Sequence, residues 1–259
     1  MKTTLSIVIV TGKEEDMIGD CLKSALFADE IILVASPACN QQTISIAKSI
    51  VPKIKIIKAD PKVSVDFSYW HNLGAKNVTS SWQLHLDCDE RISPDLQTEI
   101  INNINDQQST ITNYDLPRAN HYLGHRVHYG GSYPDYVKRL FKTSSFHQYQ
   151  GVVHEQPQID GQSSVTKSDL LHYTHRDLSS MLQKSNTWTS TEAQLLFDSH
   201  HPPVYFWRFP RMMLTKFFER FIRQQMWRDG LVGWVSVLFE TFDTYMIYAK
   251  LYELQQNKI

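Results

Sequence analysis

At 259 residues the chain is long enough to bury a substantial core, as one large domain or as a domain with an appendage. Hydrophobic content of 42%, charged content of 20% and a formal net charge of -1 belong to an ordinary globular protein and argue against a general nucleic-acid binder, which carries a basic footprint. The three cysteines, Cys21, Cys39 and Cys88, are scattered and form no CxxC pair. Neither a disulfide framework nor a zinc site is indicated, and a reducing cytoplasm fits best.

Residues 5–10 are a short β-branched run, the pattern of a strand buried on both faces. The run is too short for a signal-peptide core and meets charge at Lys13-Glu14-Glu15-Asp16. A helix is predicted over 14–26, with Met17, Ile18, Cys21, Leu22 and Ala25 at helical spacing. Its opening acids, Glu14 and Glu15, suit a first turn on dipole grounds alone. A strand at 30–34, a helix at 43–50, a strand at 54–57 and a helix at 67–78 follow. Trp70 and His71 in the last of these are expected to pack on the sheet. Residues 82–86 form the fourth strand, and 94–104 a helix with Pro94 in its first turn. Repeated βα units predict an α/β fold with a mainly parallel, Rossmann-like sheet flanked by helices. Ligands of such sheets bind at the carboxyl ends of the strands.

From residue 113 the pattern changes. Extended pieces are expected at 114–118, 136–141 and 152–155, with a Gly-, His- and Tyr-rich stretch at 124–132 that suggests an active-site or acceptor-side wall. His121, His125 and His128 lack the Cys or acid, at tighter spacing, that a zinc site recruits. After Pro202-Pro203 the chain becomes aromatic and basic, and 231–254 is again helical. The predicted organisation is a first domain over 1–200 and a C-terminal helical extension over 201–259. Residues 207–228 fit either an amphipathic helix covering the core or an interfacial helix with arginines on anionic headgroups. No stretch approaches the roughly 20 apolar residues of a membrane span.

The chemistry concentrates where the fourth strand stops, at Asp87-Cys88-Asp89-Glu90. Two carboxylates one residue apart at a strand end can face one hard divalent cation, Mg²⁺ or Mn²⁺, especially when phosphates supply the remaining ligands. Burying that much negative charge is costly unless a cation neutralises it. The plainer reading is a solvated strand exit, with Asp89 capping the turn that follows.

Several short pieces in order resemble glycosyltransferase family 2, the inverting transferases of GT-A fold, and within it the bacterial lipopolysaccharide-core β-glucosyltransferase branch. They are the first strand with Glu14-Glu15, Ala28-Asp29-Glu30-Ile31-Ile32, Thr43 with Ile46-Ala47, and Leu86-Asp87-Cys88-Asp89-Glu90-Arg91. Pro117-Arg118, Pro134-Asp135-Tyr136, Arg139-Leu140-Phe141, Val153-His154-Glu155 and Leu171-His172 continue the series, which closes on Arg228-Asp229-Gly230, Gly233-Trp234 and Tyr248-Ala249-Lys250-Leu251. The resemblance implies a nucleotide-sugar donor, a UDP-sugar, and Mg²⁺ or Mn²⁺ bridging its diphosphate to Asp89, with Asp87 near the ribose and the metal and His172 as a further metal contact. It also implies donor contacts from Glu14, Arg139 and His154, and Glu155 as the general base. The implied acceptor is a cell-envelope or exopolysaccharide hydroxyl, glycan or lipid-linked. The expected location is the cytoplasm, with a peripheral position at the inner face of the membrane as the alternative that the interfacial reading of 207–228 carries.

Three positions depart from the family pattern. Ala35 replaces the acid expected to hold the nucleotide base, Asn40 stands for a second Asp, and Lys13 occupies an Asn position. A degenerate member that binds a nucleotide or a partner without catalysis is therefore the alternative. A nucleotidyltransferase would carry a Gly-rich phosphate loop, and Thr11-Gly12-Lys13 has a single Gly.

Overall fold

A computed structural model describes residues 3–12, 15–63, 66–151 and 155–256. The chain divides into two compact units, one of Met1–Arg118 with Tyr136–His172, the other of Ala119–Asp135 with Tyr173–Ile259. The expected division after residue 200 lies within the second unit, between two of its helices.

In the first unit, β1 (Leu5–Thr11) is buried along its whole length because it pairs in parallel with β2 (Glu30–Ala35) on one side and β4 (Trp82–Asp87) on the other. β3 (Lys55–Lys58) extends the parallel part beyond β2. The sheet turns mixed at β8 (Asp135–Lys142), which runs antiparallel to β4 with Leu84 opposite Leu140. Beyond it lie β6 (Ile111–Tyr122), whose start pairs in parallel with β11 (Gln162–Val165), then β12 (Leu170–His172) and β5 (Glu90–Ile92), which pair antiparallel. β9 (Phe146–Gln150) and β10 (Gln156–Ile159) form a separate antiparallel pair.

Strand alternation sorts β1 into two cores. Ile7 and Ile9 meet α1 (Ile18–Ala25) and α4 (Pro94–Asn105) through Ile18, Leu22, Leu96 and Ile100. Val8 and Val10 meet α3 (Phe67–Ala75) through Trp70. Both Trp70 and His71 are buried against the sheet, as the sequence predicts. The helices start where side chains satisfy their first amides. Asn40 accepts from Thr43 N at 2.8 Å to open α2 (Gln41–Ile50), Asp66 accepts from Tyr69 N at 2.9 Å, and Ser93 accepts from Leu96 N before Pro94. α1 begins at Ile18, four residues later than the pattern of 14–26 predicts, since residues 15–17 are in turn conformation. At Gly74, α3 comes so close to the sheet that an added Cβ would sit 2.3 Å from Val8 Cγ1 and 3.0 Å from Val34 Cγ2. Gly74→Ala should therefore lose about 1–3 kcal/mol to overpacking, outweighing the roughly 1 kcal/mol that Ala gains as the better helix former. A urea-denaturation midpoint that rose instead would contradict this close approach.

In the second unit, β7 (His125–Arg126) pairs antiparallel with the end of β6, Tyr122 opposite His125. Three helices follow, α5 (Leu178–Asp198), α6 (Arg208–Phe218) and α7 (Gly230–Gln256), with a π-helical turn at Glu219–Arg223 and a 3₁₀ turn at Met226–Asp229 joining the last two. Asp229 accepts from the backbone amides of His128, at 3.0 Å, and Tyr129, at 2.9 Å, tying the Gly- and His-rich loop to the start of α7. At Gly233 a Cβ would lie 1.9 Å from Met226 O, so only glycine lets α7 pass that carbonyl. No helix among the described residues is long and apolar enough to cross a membrane.

Candidate active site

The parallel register brings the strand ends level. Thr11 lies opposite Ala35, and Val10 opposite Asp87, so Thr11, Ala35 and Asp87 form one edge of the sheet. Parallel α/β sheets bind ligands along this edge. Asp87 closes β4 and Glu90 opens β5, so the acids flank a tight turn. The turn is fixed by Glu90 Oε2, which accepts from Asp87 N at 2.9 Å. Arg91 clamps it from behind, donating to Cys88 O at 2.6 Å, to Glu90 O at 2.7 Å and to Met17 O at 2.6 Å.

The charge at this turn is neutralised by two arginines from the antiparallel strands. Arg139 on β8 donates through Nη2 to Asp87 Oδ2 and to Glu90 Oε1, the latter at 3.3 Å. Arg118 on β6 reaches Glu90 Oε1 at 3.5 Å. Glu90 has no solvent exposure, so the carboxylate at the centre of the array depends on these two cations and the Asp87 amide in place of water. Asp87 keeps 28% of its side chain open. Burial pushes its carboxyl up, but the Arg139 guanidinium and His71 outweigh that and hold it well below the usual carboxylate range. Arg139 feels the reverse balance, its charge held firmly by Asp87 and Glu90 against the cost of burial.

Behind Asp87 runs a buried polar chain. His85 on β4 is driven well below the usual histidine range by burial, then by His71 and Arg139, and is neutral. Its Nε2 lies 2.9 Å from Gln83 Oε1, and its Nδ1 lies 3.0 Å from His71 Nδ1. His71 stacks on Tyr149 with ring centroids 4.7 Å apart and presents Nε2 to Asp87 Oδ1 at 3.6 Å. His71, expected from the sequence to pack on the sheet, thus also backs the strand-end acid.

Asp89 lies within the turn and keeps 17% of its side chain exposed. His172 Nε2 is 3.5 Å from Asp89 Oδ2, brought there because β12 pairs with β5 and sets His172 opposite Glu90. Among the described residues no group of three His, Cys, Asp or Glu side chains converges on one point. The donor set nevertheless fits a hard cation of the Mg²⁺ type, which takes one or two protein carboxylates and completes its shell with phosphate oxygens and water. Glu155 is half-buried, and burial and then the Asp87 charge push its carboxyl up, partly offset by Arg139. Glu14 and His154 lie outside the described residues.

Two of the departures from the family pattern acquire local explanations. Asn40 is the N-cap of α2, and its amide donates to Glu15 Oε2 at 2.5 Å, a position where a second acid would face a like charge. Ala35 is buried at the end of β2, opposite Thr11 and Lys58, and offers no polar group. The roles of Glu90, Arg118 and His71 were missed from sequence. Pro117-Arg118 and Glu90-Arg91 stood among the short matching pieces, but nothing in their spacing shows that they meet.

A profile of the family described as Glycosyl transferase family 2 matches residues 6–158. Among curated proteins, the chain is 21% identical over 262 residues to the lipopolysaccharide core biosynthesis glycosyltransferase LpsC of Rhizobium meliloti (strain 1021), covering 97% of this chain and 93% of that one. Among solved structures, it is similar to S. aureus TarS 1-349, with a TM-score of 0.45 at 11% identity over 98% of this chain and 92% of that one. It is also similar to glucosyl-3-phosphoglycerate synthase from Mycobacterium tuberculosis in complex with Mn²⁺, uridine-diphosphate and glucosyl-3-phosphoglycerate, with a TM-score of 0.37 at 16% identity. That match spans 46% of this chain and 44% of the synthase, less than half the length of either.

Proposed function

Because the chain belongs to glycosyltransferase family 2, we propose that it transfers a sugar, with inversion at the anomeric carbon, from a UDP-sugar to a hydroxyl of a cell-envelope or exopolysaccharide acceptor carried on a lipid at the inner face of the membrane. The observation that carries this reading is the strand-end acid array, in which Asp87 is fixed by Arg139 and His71 while Glu155 sits in the field of the same groups.

In this reading Glu155 takes the proton from the acceptor hydroxyl. The hydroxyl oxygen then forms the new bond to the anomeric carbon, and the electron pair of the old glycosidic bond leaves on the diphosphate. A carboxylate whose affinity for protons is raised is the stronger base for that step. Asp89, with Asp87 and His172, would hold Mg²⁺ or Mn²⁺, which supplies Lewis-acid stabilisation of the diphosphate when bound. Arg139 acts on the donor through Asp87, which it orients, while Glu14 and His154 are assigned to donor contacts. The C-terminal helical extension, 201–259, is proposed to face the acceptor or the membrane.

The test is calorimetry of UDP binding in Mn²⁺ together with turnover of UDP-sugars. Asp89→Ala is expected to weaken UDP binding at least tenfold and to abolish transfer. Wild-type turnover in this variant would sink the assignment. A second reading, nucleotide binding without catalysis, is favoured by the apolar Ala35 at the nucleoside end of the edge, and it predicts UDP binding with no turnover of any nucleotide-sugar by the wild-type chain.

A further inference from the structure

An ordinary surface helix buries its apolar stripe and shows its polar one. α7 does the opposite over its first four turns. Its inner face carries Gly233, Ser236, Val237, Thr241 and Thr244, all buried, and only Val237 among them is a branched apolar side chain. Two of these hydroxyls fold back on the helix itself, Thr241 Oγ1 donating to Val237 O at 2.8 Å and Thr244 Oγ1 to Glu240 O at 3.0 Å. Its outer face carries Leu231, Trp234, Leu238, Phe242 and Tyr245, spaced three or four residues apart and between 39% and 79% exposed. Three of the four charged side chains of the same helix are turned to protein partners, and the fourth, Glu253, is exposed two turns beyond Tyr245. Glu240 pairs with Arg220 at 2.5 Å, Asp243 accepts from Ser185, and Lys250 donates to Asn186, Thr189 and Ser190. The outer stripe is therefore both apolar and uncharged, a combination that marks an interaction face on a soluble surface.

α6 continues this face. It packs antiparallel to α7, with Phe209 against Tyr245 at 5.6 Å and, just past its end, Phe221 against Trp234 at 4.4 Å. It exposes Leu214 at 67% and Phe218 at 65%. Between residues 206 and 230 six basic side chains stand against two acidic ones. Arg211, Arg223 and Arg228 among them are exposed, with the Arg211 guanidinium 5.8 Å from the centre of the Trp207 ring.

We propose that the α6–α7 hairpin is a membrane-docking face that lies on an anionic bilayer, its apolar stripe in the headgroup and acyl boundary and its arginines on lipid phosphates. Charge selects this occupant over a second copy of the chain, because a two-fold contact would set the same basic residues against themselves. Anionic headgroups complement them. The inference adds a surface to the lipid-linked acceptor reading above, although it stands on the geometry of these helices alone.

The test is flotation of the purified full chain with vesicles of phosphatidylcholine alone and with about one-third phosphatidylglycerol, a composition chosen to provide the anionic surface. The expected result is co-flotation with the anionic vesicles only, reduced by high salt, and at least tenfold weaker in Phe218→Ser/Leu231→Ser/Leu238→Ser. Arg211→Gln/Arg223→Gln should lower binding to anionic vesicles without changing the thermal midpoint. Lipids brominated in the acyl chain should quench tryptophan fluorescence in the wild type, and less so in Trp234→Phe. These side chains are exposed, so the variants are expected to keep the wild-type circular dichroism. Absence of anionic-vesicle binding, or a dimer in sedimentation that the serine variant converts to monomer, would overturn the proposal. UDP binding measured without vesicles separates the two readings, since its loss would remove the transferase mechanism and leave flotation untouched.

Discussion

Glu155→Gln should lower kcat by roughly 10²–10⁴-fold, the range over which a positioned general base accelerates proton transfer, while leaving the affinity for UDP unchanged. The substitution keeps the shape of the side chain and removes only its capacity to take a proton. Glu155 is half-buried, and burial followed by the Asp87 charge raises its proton affinity. The sign of the pH dependence follows. The reactive carboxylate accumulates only above a pKa raised from the ordinary glutamate value, so kcat/KM should fall as the pH drops through that raised value. The acid limb should therefore lie to the alkaline side of an unperturbed glutamate and vanish in Glu155→Gln. Steady-state kinetics across the acid and neutral range, with calorimetry of UDP as the control, reads both effects. A variant that loses UDP affinity in parallel with kcat would move Glu155 from proton transfer to donor binding.

The legibility of this fold from sequence follows burial. β1, β2 and β4 are covered on both faces and show as near-continuous apolar runs, and the helices between them carry their apolar residues at helical spacing. α5 left no such trace. It buries Met181, Ser185, Thr189 and Ala193, a stripe of mostly small and hydroxyl residues that periodicity in hydrophobicity does not register. α7 was read as helical, but the sense of its faces was hidden for the same reason, its buried side being the less apolar one. β5 and β12 are three residues each and pair across a long stretch of chain, so neither has a local signal.

The candidate site divides along the same line. Asp87 and Asp89 were legible because a buried run that stops at acid is a local event. Their partners had no such local signal: Arg139 and His172 entered only through the family resemblance and Arg118 without a role, because Arg139 and Arg118 arrive on antiparallel strands and His172 on the short β12. The cost of burying Glu90 at zero exposure required such counter-charges to exist, but not which residues would supply them.

Arg139 is where that requirement can be measured. Arg139→Leu should destabilise the protein by about 3–5 kcal/mol, the cost of removing one partner from a buried ion pair and stranding the other. Two acids lose their shared donor, and they will not suffer equally. Asp87 keeps 28% of its side chain exposed, so water can take over part of the lost interaction. Glu90 is fully enclosed and, among the described residues, retains Arg118 at 3.5 Å as its counter-charge and the Asp87 amide as a neutral donor. Arg139→Lys should recover part of the loss, since an ammonium supplies the charge but not the planar fork that meets both carboxylates. Urea denaturation at neutral pH measures the difference, and a loss below about 1 kcal/mol, the scale of an exposed pair, would show that the array is not an ion-pair core. Acid provides the second check. The native Asp87 carboxyl is held well below its usual range, so its contribution is present above the ordinary aspartate pKa and is lost as the pH falls through the depressed native value. The stability gap between wild type and Arg139→Leu should therefore narrow as the pH drops below the ordinary aspartate range, and a gap that stayed constant would assign the loss to packing rather than to charge.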